Sequence, residues 1–289
     1  MRYIKTLLHF DDSNNVLKDE CSNITWKTSG TNNVNIGNAK FGKALQFTGN
    51  NYIYTDDIVI GGQDFTIDFW GYMSTSAKHY ARFVDFNNKN WNRRSECLWF
   101  GRQGSTNSLF YETSRNETQN LYVISNTNTI FNSLHHYAIV YTQSNKTHKV
   151  YIDGKEVFNL SWDFPRISRR LLIGYSNMPS SGDGCLVGTM DEFRISDGIA
   201  RYTSNFTPPT QQFIYGPYAE FPNPISGTYD KSPNGLKYNY RVRFEQGPWT
   251  ETSNVVNYET CQKLRLLMYL YKILIISIFL KTLKIRVVS

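Results

Sequence analysis

The chain has 289 residues and 33.6 kDa, with 40% hydrophobic, 19% charged and 15% aromatic residues, a composition that can bury a core and excludes a disordered chain or a disulfide mini-scaffold. The formal charge of +7 is concentrated at one end: residues 261–289 hold Lys263, Arg265, Lys272, Lys281, Lys284 and Arg286 and no acid, so residues 1–260 carry 25 of the 31 cations against all 24 acids. A nearly neutral body implies no nucleic-acid partner.

The opening MRYIKTLLHFDD has no apolar run before its first acids, so no signal peptide of the usual kind is expected. From Tyr3 to about Phe206, short runs of period-two alternation are separated by Gly, Asn, Asp and Ser clusters, without a stretch of helical period. This predicts an all-β chain in two packed sheets. In order the strands are IKTLLHF, KALQFTG, YIYT, DFTIDFWGYM, ARFVDF, CLWFGRQ, LFYETS, LYVIS, HHYAIVYT, KVYI, KEVF, RRLLIGYS and LVGTMDEFRIS. In DFTIDFWGYM, Phe65, Ile67 and Phe69 are expected on a core face, with Thr66, Asp68, Trp70 and Tyr72 facing polar surroundings. Between KVYI and KEVF, Asp153-Gly154 suits a two-residue type I′ turn and predicts a tight hairpin.

Past Thr207 six prolines and three glycines up to Gly235 mark a connector, followed by the strand-like KYNYRVRFEQGPWTETSNVVNY. The predicted units are a β domain over 1–209, a connector with a β-hairpin over 210–260, weakly similar to closing strands of fibronectin type III modules, and an apolar basic tail over 261–289. Two readings of the tail stand: a membrane anchor, or non-native translation of AT-rich DNA out of frame. Cys21, Cys97, Cys185 and Cys261 lack CxxC spacing and partner histidines, so they are expected as small hydrophobes.

Four passages resemble the LamG-like jelly-roll family of the concanavalin A-like lectin/glucanase superfamily, over about residues 4–209: LLHFDD, GKALQFTGNNYIYT, QDFTIDFWGYM, and KVYIDGKEV with GTMDEFRISDGIARYTSNFTPP. The last string resembles the end of such domains in phage virion and bacterial surface proteins. Thr48 stands where the family commonly has Asp, and Leu134 where it has a core Trp. The resemblance implies a two-sheet antiparallel jelly-roll sandwich. It also implies a structural Ca²⁺ near the first and last strands, for which Asp11 and Asp191 are the candidates, unless Asp191 instead orders the closing strand or pairs with Arg194.

Chemistry in the residues points to binding. The glucanase string E-x-D-x-E is missing, and the adjacent Asp191-Glu192 should face opposite ways. A G-x-S-x-G elbow is missing as well, and His135 and His136 are expected as packed histidines. Sugar recognition uses aromatic faces with planar amides and guanidinium groups. The stretch 79–94 has that density, with Tyr80, Arg82, Trp91 and Arg93, and Trp162 lies in a second such patch. The expected function is a non-enzymatic module for a glycan or cell-surface polymer, in a phage virion or a bacterial surface protein, located on the virion or the cell surface. The alternatives are a virion-fibre spacer contacting other subunits, and a glycoside hydrolase. A membrane partner is expected only if the tail is native.

Overall fold

The computed structural model describes residues 3–21, 24–30, 33–87, 97–104, 108–115, 118–124, 130–176, 184–213, 231–232 and 235–236. The chain divides into two compact units, Met1–Pro222 and Asn223–Ser289. In the first unit the strands are β1 (Ile4–Leu8), β2 (Lys27–Ser29), β3 (Asn33–Asn35), β4 (Ala44–Thr48), β5 (Tyr52–Ile60), β6 (Phe65–Met73), β7 (Arg82–Asn87) and β8 (Leu98–Arg102). They continue with β9 (Leu109–Arg115), β10 (Thr118–Ile124), β11 (Leu134–Thr142), β12 (Thr147–Ile152), β13 (Lys155–Ser161), β14 (Ile167–Ile173) and β15 (Val187–Asp197). The second unit contributes β16 (Lys231–Ser232), paired with β17 (Gly235–Leu236). The hairpin and tail expected over 238–289 lie outside the described residues. Among the described residues no helix is long and apolar enough to cross a membrane.

All pairings among these strands are antiparallel. An eight-stranded sheet runs β13-β12-β11-β6-β15-β4-β3 with β1 added on β15, and a seven-stranded sheet runs β10-β9-β8-β7-β14-β5-β2. This is the two-sheet sandwich that the alternation predicts. The two inner faces meet in one core, where Phe69 lies 5.3 Å from Phe83 and 5.4 Å from Tyr137, and Phe83 lies 5.1 Å from Tyr137. Such edge and tilted ring contacts add about 0.5–1.5 kcal/mol per pair beyond the area they bury. The hairpin forms as expected, with Asp153 at φ 49° and Gly154 at φ 75° between β12 and β13.

One expectation fails at β6, which is buried on both faces rather than one. The segment 199–213, carrying the ARYTSNFTPP string, folds back as a strap over the outer face of the eight-stranded sheet. Thr66 Oγ1 donates to Ile199 O and accepts from the Arg201 N–H. Asp68 takes a bidentate pair from Arg194, at 2.9 Å from Nε and 2.6 Å from Nη2, and accepts the Tyr202 hydroxyl at 2.9 Å. Asp68 is thereby held below its ordinary value: burial opposes ionisation, but the Arg194 charge and hydrogen bonds outweigh it. Tyr202 and Phe206 stack at 3.7 Å, and Phe206 N–H donates to Gly154 O at 2.9 Å, so the strap ends on the hairpin turn. Leu134, expected in the core, is only half-buried because it opens β11 at the rim of the sandwich.

Candidate functional site

The outer face of the seven-stranded sheet carries an aromatic row. In β5, Ile53 faces the core, so alternation turns Tyr52, Tyr54 and Asp56 outward, where they are half-buried. After β14, Gly174 takes φ +84°, a backbone state that suits glycine, and a Cβ there would stand 2.3 Å from the Phe47 ring. This turn lays Tyr175 on Tyr52, with centroids 4.5 Å apart and planes 14° apart. Tyr54 lies 6.0 Å from Tyr52, and its own ring sits 5.1 Å from the Arg170 guanidinium and 5.9 Å from the Lys27 ammonium. Asp56 joins the two cations, accepting from Lys27 Nζ and, at 3.0 Å, from Arg170 Nη2. Those hydrogen bonds hold the Asp56 carboxyl at about 2.

From Tyr175 the main chain links to a loop junction. Ser176 N–H donates to Gly184 O, Gly184 N–H to His79 O, and Tyr80 N–H to Gly104 O, so three loops meet around Tyr80. Tyr80 is 38% exposed and sits at φ 53°. Beneath it lies Arg82, whose guanidinium is 4.2 Å from the Phe110 ring centre and whose Nη1 donates to Tyr80 O at 2.5 Å. Burial lowers Arg82 to about 10, while the Asp85 and Glu112 carboxylates act in the opposite direction.

The sequence-predicted binding residues therefore separate. Tyr80 presents its ring at the surface. Arg82 is corrected from a ligand contact to a buried support, because its plane rests on Phe110 and its charge faces two carboxylates. Trp162 sits at the end of β13 on the other sheet, with its N–H donating to Lys146 O at 2.6 Å and its carbonyl accepting from His148 Nε2. Trp91 and Arg93 lie outside the described residues. Asp85 and Glu112 share a cross-strand row through Trp99. Both are buried toward Arg82, so the two acids do not line an open groove.

β1 and β15 run side by side, as expected, and bring Asp11 and Asp191 to one loop. Asp191 Oδ2 accepts from the Lys40 N–H at 2.7 Å and the Phe41 N–H at 2.8 Å. Asp11 Oδ1 accepts from the Lys43 N–H at 2.6 Å, and its Oδ2 from Gln212 Nε2. Three of the four carboxylate oxygens are thus taken by N–H donors. Burial pushes Asp191 up to about 7, and its Oδ1 is buried with no hydrogen-bond partner among the described residues. Among the described residues no group of three His, Cys, Asp or Glu side chains assembles. Together these donors make a clasp that ties both carboxylates to the 40–43 loop. Nor does Asp191 pair with Arg194, whose guanidinium is committed to Asp68.

The family model for the concanavalin A-like lectin/glucanases superfamily matches residues 47–201. The chain belongs to this superfamily. Among curated proteins none matches it. Among solved structures, domain 4 of an extracellular arabinanase from Geobacillus stearothermophilus, solved in complex with arabinotriose, is similar at 19% identity and TM-score 0.52, covering 69% of this chain and 95% of that one. Botulinum neurotoxin type C, from a study of its interaction with two ganglioside molecules, is similar at 14% identity and TM-score 0.50, over 68% of this chain and 47% of that one. The binding domain of botulinum neurotoxin serotype D is similar at 12% identity and TM-score 0.51, over 68% and 48%. The chain thus spans about half the length of the toxin chains it resembles. At these identities the likeness shows the lectin/glucanase fold alone. Within that fold, Tyr52 and Tyr54 are site residues missed by the sequence reading, although the alternation of YIYT sets both on one face. Tyr175 carries no such signal, because Gly174 breaks the alternation that would place it.

Proposed function

We propose that this chain is a carbohydrate-binding module that takes a glycan or surface polymer, without acting on it as an enzyme, on the Tyr54–Tyr52–Tyr175 row, with Tyr80 at its edge. The stacked, half-buried Tyr52–Tyr175 pair carries this reading. It offers ring surface to sugar C–H groups, while Arg170 over Tyr54 and its partner Asp56 offer a donor and an acceptor to hydroxyls. The fold shared with an arabinotriose-bound domain agrees with the reading. We place the module in a phage virion or a bacterial surface protein, on the resemblance of its GTMDEFRISDGIARYTSNFTPP string to the ends of such domains.

The test is a glycan-array screen of the full chain beside Tyr52→Ala and Tyr175→Ala, each checked for an unchanged melting temperature. Reproducible hits that disappear in both variants support the reading. Silence from a folded sample overturns it and moves the chain to the role of a virion-fibre spacer.

A further inference from the structure

At the rim of the eight-stranded sheet, three side chains form a hydrogen-bonded line that neither the fold nor the tyrosine row requires. Ser133 immediately precedes β11 and His135 is its second residue, and their side chains meet. The β12–β13 turn folds back against this strand end: Asp153 N–H donates to His136 O at 2.8 Å, and Asp153 Oδ1 accepts the His136 N–H at 3.0 Å. That leaves Asp153 Oδ2 for His135 Nδ1, 2.5 Å away, while His135 Nε2 lies 2.7 Å from Ser133 Oγ. A carboxylate only accepts, so Nδ1 donates to it, and in the neutral ring Nε2 then presents its lone pair to the serine hydroxyl, whose other acceptor is Ile130 O at 3.3 Å. Asp153 orients, His135 receives and Ser133 is positioned to lose its proton. These are the relations that define an activated serine whatever the order of the residues in the chain. The group is reachable, since the His135 side chain is 18% exposed and that of Asp153 44%, with Ser133 half-buried.

We propose that Ser133 is a nucleophile toward small carboxylic esters, with His135 as its base and Asp153 as the positioning residue. Ser133 Oγ bonds to the acyl carbon as its proton passes to His135 Nε2. The bond from that carbon to the alcohol oxygen breaks, and the alcohol leaves with the proton. Water, losing its proton to His135, then hydrolyses the acyl-serine to the free acid and restores the hydroxyl. This activity is separate from glycan recognition, because none of the three residues belongs to the tyrosine row. It does stand near the loop that carries Tyr80, since neighbouring Asn132 Oδ1 accepts the Thr75 N–H at 3.0 Å.

The experiment treats the full chain with a fluorophosphonate probe, which forms an oxygen–phosphorus bond and releases fluoride, and in parallel with p-nitrophenyl acetate. Adducts are located by peptide mass mapping. The expected result is one adduct, at Ser133, absent from Ser133→Ala. Its rate should fall on the order of 100-fold or more in His135→Gln and in Asp153→Asn. Asn suits the positive φ of the turn, so Asp153→Asn keeps the hairpin while removing the acceptor that fixes the tautomer. No adduct on a folded sample, an adduct elsewhere, or rates in Asp153→Asn and His135→Gln equal to that of the unmodified chain would overturn the proposal and leave the three residues as a fastening for the turn.

Discussion

His136 gives the sharpest test of how the strap closes the sheet. Its ring is fully buried, with Trp70 at 5.2 Å, Phe206 at 5.7 Å, Tyr202 at 6.2 Å and Phe213 at 6.4 Å between centroids. Among the described residues neither ring nitrogen has a hydrogen-bond partner. Burial pushes the imidazole down to about 4; Arg194 and Lys40 act in the same direction, and Asp68 and Asp153 oppose them. The depressed value means that the unfolded chain takes up this proton near 6.5 and the folded chain only near 4. Stability from this group is therefore complete above pH 6.5 and is lost as the pH falls toward 4. By pH 4 the loss is about 3 kcal/mol. His148, pushed down to about 3 by burial, adds to the same acid limb. The perturbation is His136→Phe, which keeps an aromatic ring in the box and removes the proton site. Its packing effect is the same at both pH values, so comparing the pH 7 to pH 4 losses of the two proteins cancels it. Urea unfolding should show the variant losing about 3 kcal/mol less than the unmodified chain over that interval. Equal losses would refute the sealed-box account of the strap.

Three further outcomes follow from the same contacts. Arg194→Met leaves Asp68 buried without its bidentate partner, and urea unfolding at pH 7 should register a loss of about 3–5 kcal/mol. Gly154→Ala puts a Cβ 1.8 Å from Phe206 O at a φ of +75°, so thermal melting should show a destabilisation above about 1 kcal/mol. Because Asp11 and Asp191 clasp backbone amides, melting in calcium and in a chelator should give the same midpoint. A rise of several degrees with calcium would restore an ion to that loop.

Much of the sandwich is legible in the sequence because its strands alternate and its turns carry their own signals. Asp153-Gly154 specifies a turn through backbone preference alone, and that turn forms. β2 and β3 carry no such signal: KTS and NVN are three-residue pieces without apolar alternation. The second face of β6 is misread for another reason. Thr66, Asp68 and Trp70 look solvent-facing locally, and only the return of residues 199–213, about 130 positions later, covers them. The same distance hides the role of Arg194 until Asp68 is seen beside it. At the candidate site Tyr80 could be read from its loop. Arg82 could not be read as buried, since nothing local announces Phe110 beneath it. His136 packs as expected, whereas His135, one position earlier and on the other face, is tied to Ser133 and Asp153 by the hairpin turn.

The central claim is that glycan recognition belongs to the tyrosine row of the seven-stranded sheet. Its most direct test is an isothermal titration of the strongest array hit into the full chain and into Tyr52→Ala, Tyr175→Ala and Trp162→Ala. A stacking residue at the centre of a binding face is expected to cost at least about tenfold in Kd, or about 1.4 kcal/mol. The account predicts that loss in both tyrosine variants and an unchanged Kd in Trp162→Ala. Unchanged binding in the tyrosine variants with loss in Trp162→Ala would contradict it and place the site on the edge of the other sheet.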